Sequence, residues 1–123
     1  MSEYHYIFAR PGFPRERLVQ DISTACAVEL RPTDDEFVDY AGNLGYAAVE
    51  VEFTHEYEGD RGMPFERYDS LVTIRDFDTN LERQEATARH IFENLATLGR
   101  YDLLLVRDLQ ESLASSTAGS DPV

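Results

Sequence analysis

Glu50, Glu52 and Glu56 stand at even spacing in the run Ala47 to Tyr57, and Glu58 and Asp60 continue the row. Alternate residues of an extended strand lie about 7 Å apart on one face. These carboxylates would therefore share a surface suited to a cationic partner. They are a poor seat for a hard metal ion, which wants six or more oxygens from converging segments. His55 falls in the opposite register, between Phe53 and Tyr57. It is either a hydrogen-bonded core histidine or, with Tyr57 and Tyr68, the lining of a pocket beneath the helices. In such a pocket burial would lower its pKa and suit it to general base work. Met63 and Phe65 sit in the turn-rich segment 58–66. They place apolar groups at a hairpin tip, where they form a contact surface or pack back on the domain.

Other chemistry finds no support. Asp34, Asp35, Glu36 and Asp39 form a second acidic cluster. Thr33 and Glu36 have capping-box spacing, so these acids read as the first turn of a helix, where its dipole favours them. A calcium loop would need alternating acids and a glycine at its sixth position. His5, His55 and His90 lack the spacing of zinc ligands, and no cysteine stands near them. Cys26 is the lone cysteine, set among apolar neighbours, which makes it a buried, inert thiol. No serine lies in a G-x-S-x-G context, and the glycines are too scattered for a phosphate loop. No catalytic residue, metal ligand or cofactor is assigned, and the reading leans away from an enzyme.

Charge supplies the clearest functional pointer. The 24 acidic residues face 11 arginines and no lysine, a formal charge of -13. Residues 28–69 hold twelve of the acids and three of the arginines. A local acidic field attracts cationic partners and repels nucleic acid and anionic lipid. GC-rich codons would also favour arginine over lysine, and adaptation to high salt would spread acids over the whole surface. With 42% hydrophobic and 11% aromatic residues the chain can bury a core, unlike a disordered acidic segment. Its 123 residues fit one domain. The start MSEYHYIF lacks a basic segment and an apolar run, and the longest aliphatic run is Leu103 to Val106. A cytoplasmic protein without membrane association is expected.

The elements that must position these residues follow from periodicity. Residues 4–9 read as a strand ended by Pro11-Gly12. Leu18, Ile22 and Cys26 recur at four-residue spacing, giving a helix over 14–26 after Pro14. Residues 28–45 are ambiguous between short strands, a helical turn and a loop. The alternation over 47–57 and again over 68–75 predicts a long antiparallel hairpin. A second helix runs from a Thr79-to-Glu82 capping box to Gly99, with a stripe of Leu81, Ala88, Ile91, Phe92, Leu95 and Leu98. Residues 101–106 read as a central strand and residues 108–114 as a short helix. Residues 1–114 are expected to form a single α+β domain, with 115–123 a disordered tail.

The order strand-helix-strand, strand-helix-strand resembles a ferredoxin-like two-layer sandwich. Two helices would cover one face of a four- or five-stranded antiparallel sheet. The likeness is one of topology and carries no function. Tyr4, Tyr6 and Phe8 would join Glu50 and Glu52 on the open face, and tyrosines bordered by carboxylates are typical of interfaces. The expectation is an acidic interaction or inhibitor protein that binds a basic partner protein through this face. It is similar in style to bacterial immunity proteins, an analogy of class without a motif. The alternative is a dimeric ferredoxin-like small-molecule-binding protein or enzyme, with a pocket between sheet and helices. A homodimer burying the open face competes with a heterologous partner.

Overall fold

The computed structural model describes residues 3–59 and 61–119. Strand β1 (His5–Arg10) leads into helix α1 (Arg15–Cys26), whose inward stripe is Leu18, Ile22 and Ala25. The helix ends without a glycine: Ala27 takes the left-handed conformation (φ 58°), and its N–H and that of Val28 bond back to Thr24 and Ser23 carbonyls. Two short strands follow, β2 (Arg31–Pro32) and β3 (Tyr40–Asn43). Then come β4 (Ala47–Glu52), β5 (Ser70–Asp76), helix α2 (Leu81–Thr97), β6 (Asp102–Arg107) and β7 (Glu111–Ser116).

The protein is thus α+β, with two helices and one antiparallel sheet of seven strands among the described residues, in the order β2-β3-β4-β5-β1-β6-β7. The sequence predicts four or five strands. The difference lies in β2 and β3 at one edge and β7 at the other. Residues 108–114 form no helix, and Ser115 and Ser116 are paired with Leu104 and Leu103 rather than belonging to a tail. Residues 120–123 of that tail lie outside the described residues. Among the described residues no helix is long and apolar enough to cross a membrane.

Alternation sorts the strands into two faces. On one face Ile7, Val49, Val51, Val72, Ile74, Leu103 and Leu105 join Leu18, Ile22, Ala88, Ile91 and Leu95 from both helices in a single core. The other face carries a second apolar cluster, in which Tyr6, Phe8, Leu71, Leu104 and Val106 meet Met63 and Phe65. Segment 53–69 therefore folds back over the face that was expected to stay open. Met63 and Phe65 are buried and form no exposed tip, because Phe65 stacks on Phe8 with ring centres 4.5 Å apart. Burying a phenylalanine contributes about 2 kcal/mol or more, which favours this closure over display to solvent.

Two glycines are required by their surroundings. A Cβ at Gly42 would meet Leu30 Cδ2 at 2.6 Å, so its absence lets the segment after α1 close on β3. Gly45 has φ +94° in the β3–β4 turn, where its N–H bonds to Asn43 Oδ1 at 2.7 Å. Helix α2 starts one residue later than its capping box suggests. Asn80, not Thr79, caps it by accepting from the Arg83 N–H at 3.0 Å. Within α2, Gln84 is buried, whereas Leu81 and Leu98 of the expected stripe are exposed.

Candidate functional site: an acidic cleft at the end of the β3–β4 pair

The site begins where β4 stops. Asp39 immediately precedes β3. Its N–H bonds to the Val51 carbonyl at 2.8 Å, and its carboxylate accepts from the Phe53 N–H at 2.8 Å. Phe53 is thereby drawn out of the ladder, and β4 ends at Glu52 instead of running to Tyr57. The preceding loop is not helical. Asp35 Oδ1 accepts from the N–H groups of Phe37 and Val38, and Thr33 Oγ1 bonds to the Val38 carbonyl. These side-chain bonds, rather than a capping box, shape the segment.

The result is a cleft of about 620 Å³. Glu36 and Asp39 reach it from one segment, Glu52 and Glu56 from the other. Phe37 and Tyr57 line it as well, and both are exposed. The two acidic clusters, far apart in sequence, converge because β3 and β4 are hairpin neighbours. No arginine lines the cleft among the described residues. Glu52 registers this imbalance. Partial burial, with repulsion from Asp39, Glu50 and Asp35, pushes its carboxyl up to about 7. Burial and the Glu52 charge also raise the Tyr57 hydroxyl.

His55 lies on the face away from the helices, which overturns its expected position beneath them. The break in β4 after Glu52 ends the alternation that would have sent it inward. Its ring meets Phe8 at 5.1 Å, edge to face. Both nitrogens are occupied: Nε2 donates to the Tyr68 carbonyl at 2.7 Å, and Nδ1 accepts from the Tyr57 N–H at 3.1 Å. This is an anchoring histidine with no nitrogen left to act as a base. Tyr57 and Tyr68 gather with it around Phe8, at 6.3 and 6.2 Å, and not in a pocket between sheet and helices.

Of the expected contact residues, Glu52 and Glu56 enter the cleft, Glu58 is exposed beyond it, and Asp60 lies outside the described residues. Glu50 shares the β4 face but is tied to Arg75 at 3.5 Å. Sequence reasoning misses Phe37, and it places Glu36 and Asp39 at the start of a helix that does not form. The available signal is the Gly42 and Gly45 punctuation, which marks a hairpin that would bring the two acidic runs together. Among the described residues, no group of three His, Cys, Asp or Glu side chains is placed to hold a metal ion. The carboxylates are spread around an aromatic-walled space, which suits an organic cation better than an inorganic one.

Compared with known proteins, the chain matches no family model, no curated protein and no solved structure.

Proposed function

We propose that the protein is an acidic interaction or inhibitor module that binds a basic partner protein through the cleft at the β3–β4 end. The observation that carries this reading is the convergence of Glu36, Asp39, Glu52 and Glu56 on one aromatic-walled space with no arginine in its lining. An arginine or lysine from a partner would insert between Phe37 and Tyr57 and relieve the repulsion felt by Glu52. Guanidinium groups stack on aromatic faces and pair with carboxylates, so arginine fits best. A second copy of this chain would bring like charge to the cleft, which favours a heterologous partner over a homodimer. The reading sets the protein in the cytoplasm and is of the same class as immunity-type inhibitors, which block cationic nucleic-acid sites. It also takes the inner strands β4-β5-β1-β6 with α1 and α2 as a ferredoxin-like unit, to which β2, β3 and β7 are edge additions.

The test uses a labelled arginine-rich peptide as probe, followed by fluorescence anisotropy. Saturable binding that weakens with salt is expected, and the triple substitution Glu36→Gln, Glu52→Gln, Glu56→Gln should lower affinity about tenfold or more. Asp39 is left in place because it holds Phe53. Equal binding by the triple variant would remove this reading.

A further inference from the structure

On the opposite face of the sheet from the acidic cleft, a buried polar atom is left without a partner among the described residues. His5 is fully buried, and its Nε2 has no hydrogen-bond acceptor there. The tautomer follows from Gln84 of α2. Gln84 Oε1 accepts from the Asp76 N–H at 2.9 Å, and its Nε2 donates to the Glu3 carbonyl at 3.0 Å and to His5 Nδ1 at 2.7 Å. Turning the amide over would set donor against donor at Asp76 and acceptor against acceptor at Glu3. The amide orientation is therefore fixed, Nδ1 is an acceptor, and the proton resides on Nε2. Burial, the largest influence, lowers the His5 pKa, against the raising effect of the nearby Glu85 carboxylate. An N–H buried without an acceptor destabilises the fold, and an incoming acceptor would relieve that cost.

His5 lines a cleft of about 460 Å³ between α2 and the β1–β6 pair, with Nε2 itself buried just behind its surface. Glu85 Oε1 is 3.6 Å away, too far to accept, while Oε2 of the same carboxylate accepts from Arg89 Nε at 2.9 Å. Arg107 stands directly across from His5 in the β1–β6 register, so it shares the face and lines the cleft. It contacts Glu111 through one nitrogen at 3.2 Å. A guanidinium has five N–H donors, so Arg89 and Arg107 both keep donors beyond these contacts. Leu81 and Ala86 supply an apolar strip, and Leu81 is exposed although it opens a helix whose other large apolar residues are mostly buried.

We propose that this cleft binds a small organic monocarboxylate. One carboxylate oxygen accepts from His5 Nε2–H and the other from Arg107, while a short apolar body lies along Leu81 and Ala86. Glu82 and Glu85 in the lining select against anions of higher charge such as phosphate. The site is independent of the proposed cationic partner and stands or falls separately.

The test is an NMR titration of nitrogen-labelled protein that follows the His5 imidazole, with butyrate, acetate, phosphate and chloride as probes at constant ionic strength. A saturable shift of the His5 Nε2–H signal is expected with butyrate, weaker with acetate and absent with phosphate and chloride. Arg107→Gln, on the exposed edge of the hairpin, should weaken butyrate binding about tenfold while the protein stays folded. Leu81→Ser should remove the preference for butyrate over acetate. A His5 signal unmoved by millimolar butyrate, an equal response to phosphate or chloride, wild-type affinity in Arg107→Gln, or a proton found on Nδ1 would each overturn the proposal.

Discussion

Asp76 and Glu52 are carboxylates at opposite ends of the same strand pair, and their surroundings drive them in opposite directions. Asp76 closes β5 on the helix side, where its side chain is solvent-inaccessible. Arg83 grips both its oxygens, at 2.7 and 3.0 Å, and the N–H groups of Asp78 and Asn80 bond to Oδ1. The Arg83 hydrogen bond, ahead of the opposing effect of burial, holds its carboxyl at about 2. Glu52 ends β4 on the other face, partly buried among further acids, and sits at about 7. A carboxylate surrounded by donors holds a corner of the fold together. One surrounded by acids is the group that an incoming cation would stabilise.

The largest expected effect breaks the Asp76 side of this contrast. Asp76→Ala would leave Arg83 without its main partner and orphan the N–H groups of Asp78 and Asn80 at the start of α2. Thermal unfolding should show a greater loss of melting temperature than any single substitution in the acidic cleft produces. In the parent protein, the folded pKa of Asp76 lies below its ordinary 3.8. Its contribution is therefore fully present above pH 3.8 and is lost as pH falls toward 2. A variant that melted like the parent would show that the Arg83 fork carries little of the corner's stability.

The next effect has the opposite sign. The folded pKa of Glu52 is raised from 4.5 to about 7, so the folded state holds this proton more tightly than the unfolded chain. Glu52 ionised at pH 8 is a burden on the fold, and that burden lifts as pH falls from 7 to 4.5. Glu52→Gln should stabilise the protein at pH 8 by about 1 to 2 kcal/mol, allowing for solvent screening at a partly buried site. It should also remove that part of the pH dependence, as read by urea unfolding at a series of pH values. Destabilisation at pH 8 would mean that Glu52 already has a compensating partner.

A smaller change sharpens the contrast by making the cleft resemble the Asp76 corner. Thr54 lines the cleft and is exposed. Thr54→Arg should bring a guanidinium to Glu52 and lower its pKa toward the ordinary carboxylate range, measured by carbon-detected NMR titration of the carboxyl group. The same variant should weaken the arginine-rich peptide, since the cleft would hold its own cation. Intact peptide binding alongside a lowered Glu52 pKa would place the partner elsewhere on the surface.

Much of the fold that sets up this contrast is legible in the sequence, and the parts that are not have physical reasons. Both helices and strands β1, β5 and β6 follow from local periodicity, because each buries a regular stripe. The alternation in β4 is legible, but its end is not. Phe53, His55 and Tyr57 keep the pattern going while the chain leaves the sheet, drawn away by the Asp39 carboxylate and the Tyr68 carbonyl, partners many residues distant. Strand β7, ESLASS, has no strand signature of its own. Pairing with the apolar β6 makes it one, an override of local preference by tertiary context. Met63 and Phe65 are visible as apolar residues in a loop, but their destination over Phe8 depends on a chain reversal that no local pattern encodes. Gln84, which fixes the tautomer of His5, looks in sequence like any polar residue near the start of a helix.

The smallest effect concerns Glu50, two residues from Glu52 on the same strand face. Its pairing with Arg75 at 3.5 Å is between partly exposed side chains, 39% for Arg75 and 27% for Glu50. Surface pairs of this kind contribute about 0 to 1 kcal/mol. Removing Glu50 also removes one of the charges that repel Glu52, and the two consequences oppose each other. Glu50→Gln should therefore change stability by less than about 0.5 kcal/mol, while the Glu52 carboxyl moves down toward its ordinary value. Chemical denaturation and the Glu52 NMR titration read the two quantities separately. If Glu52 stays where it is after Glu50 is neutralised, its displacement comes from burial and the β3-side acids alone, and the cleft acts through the Asp39 side of the hairpin rather than along the β4 row.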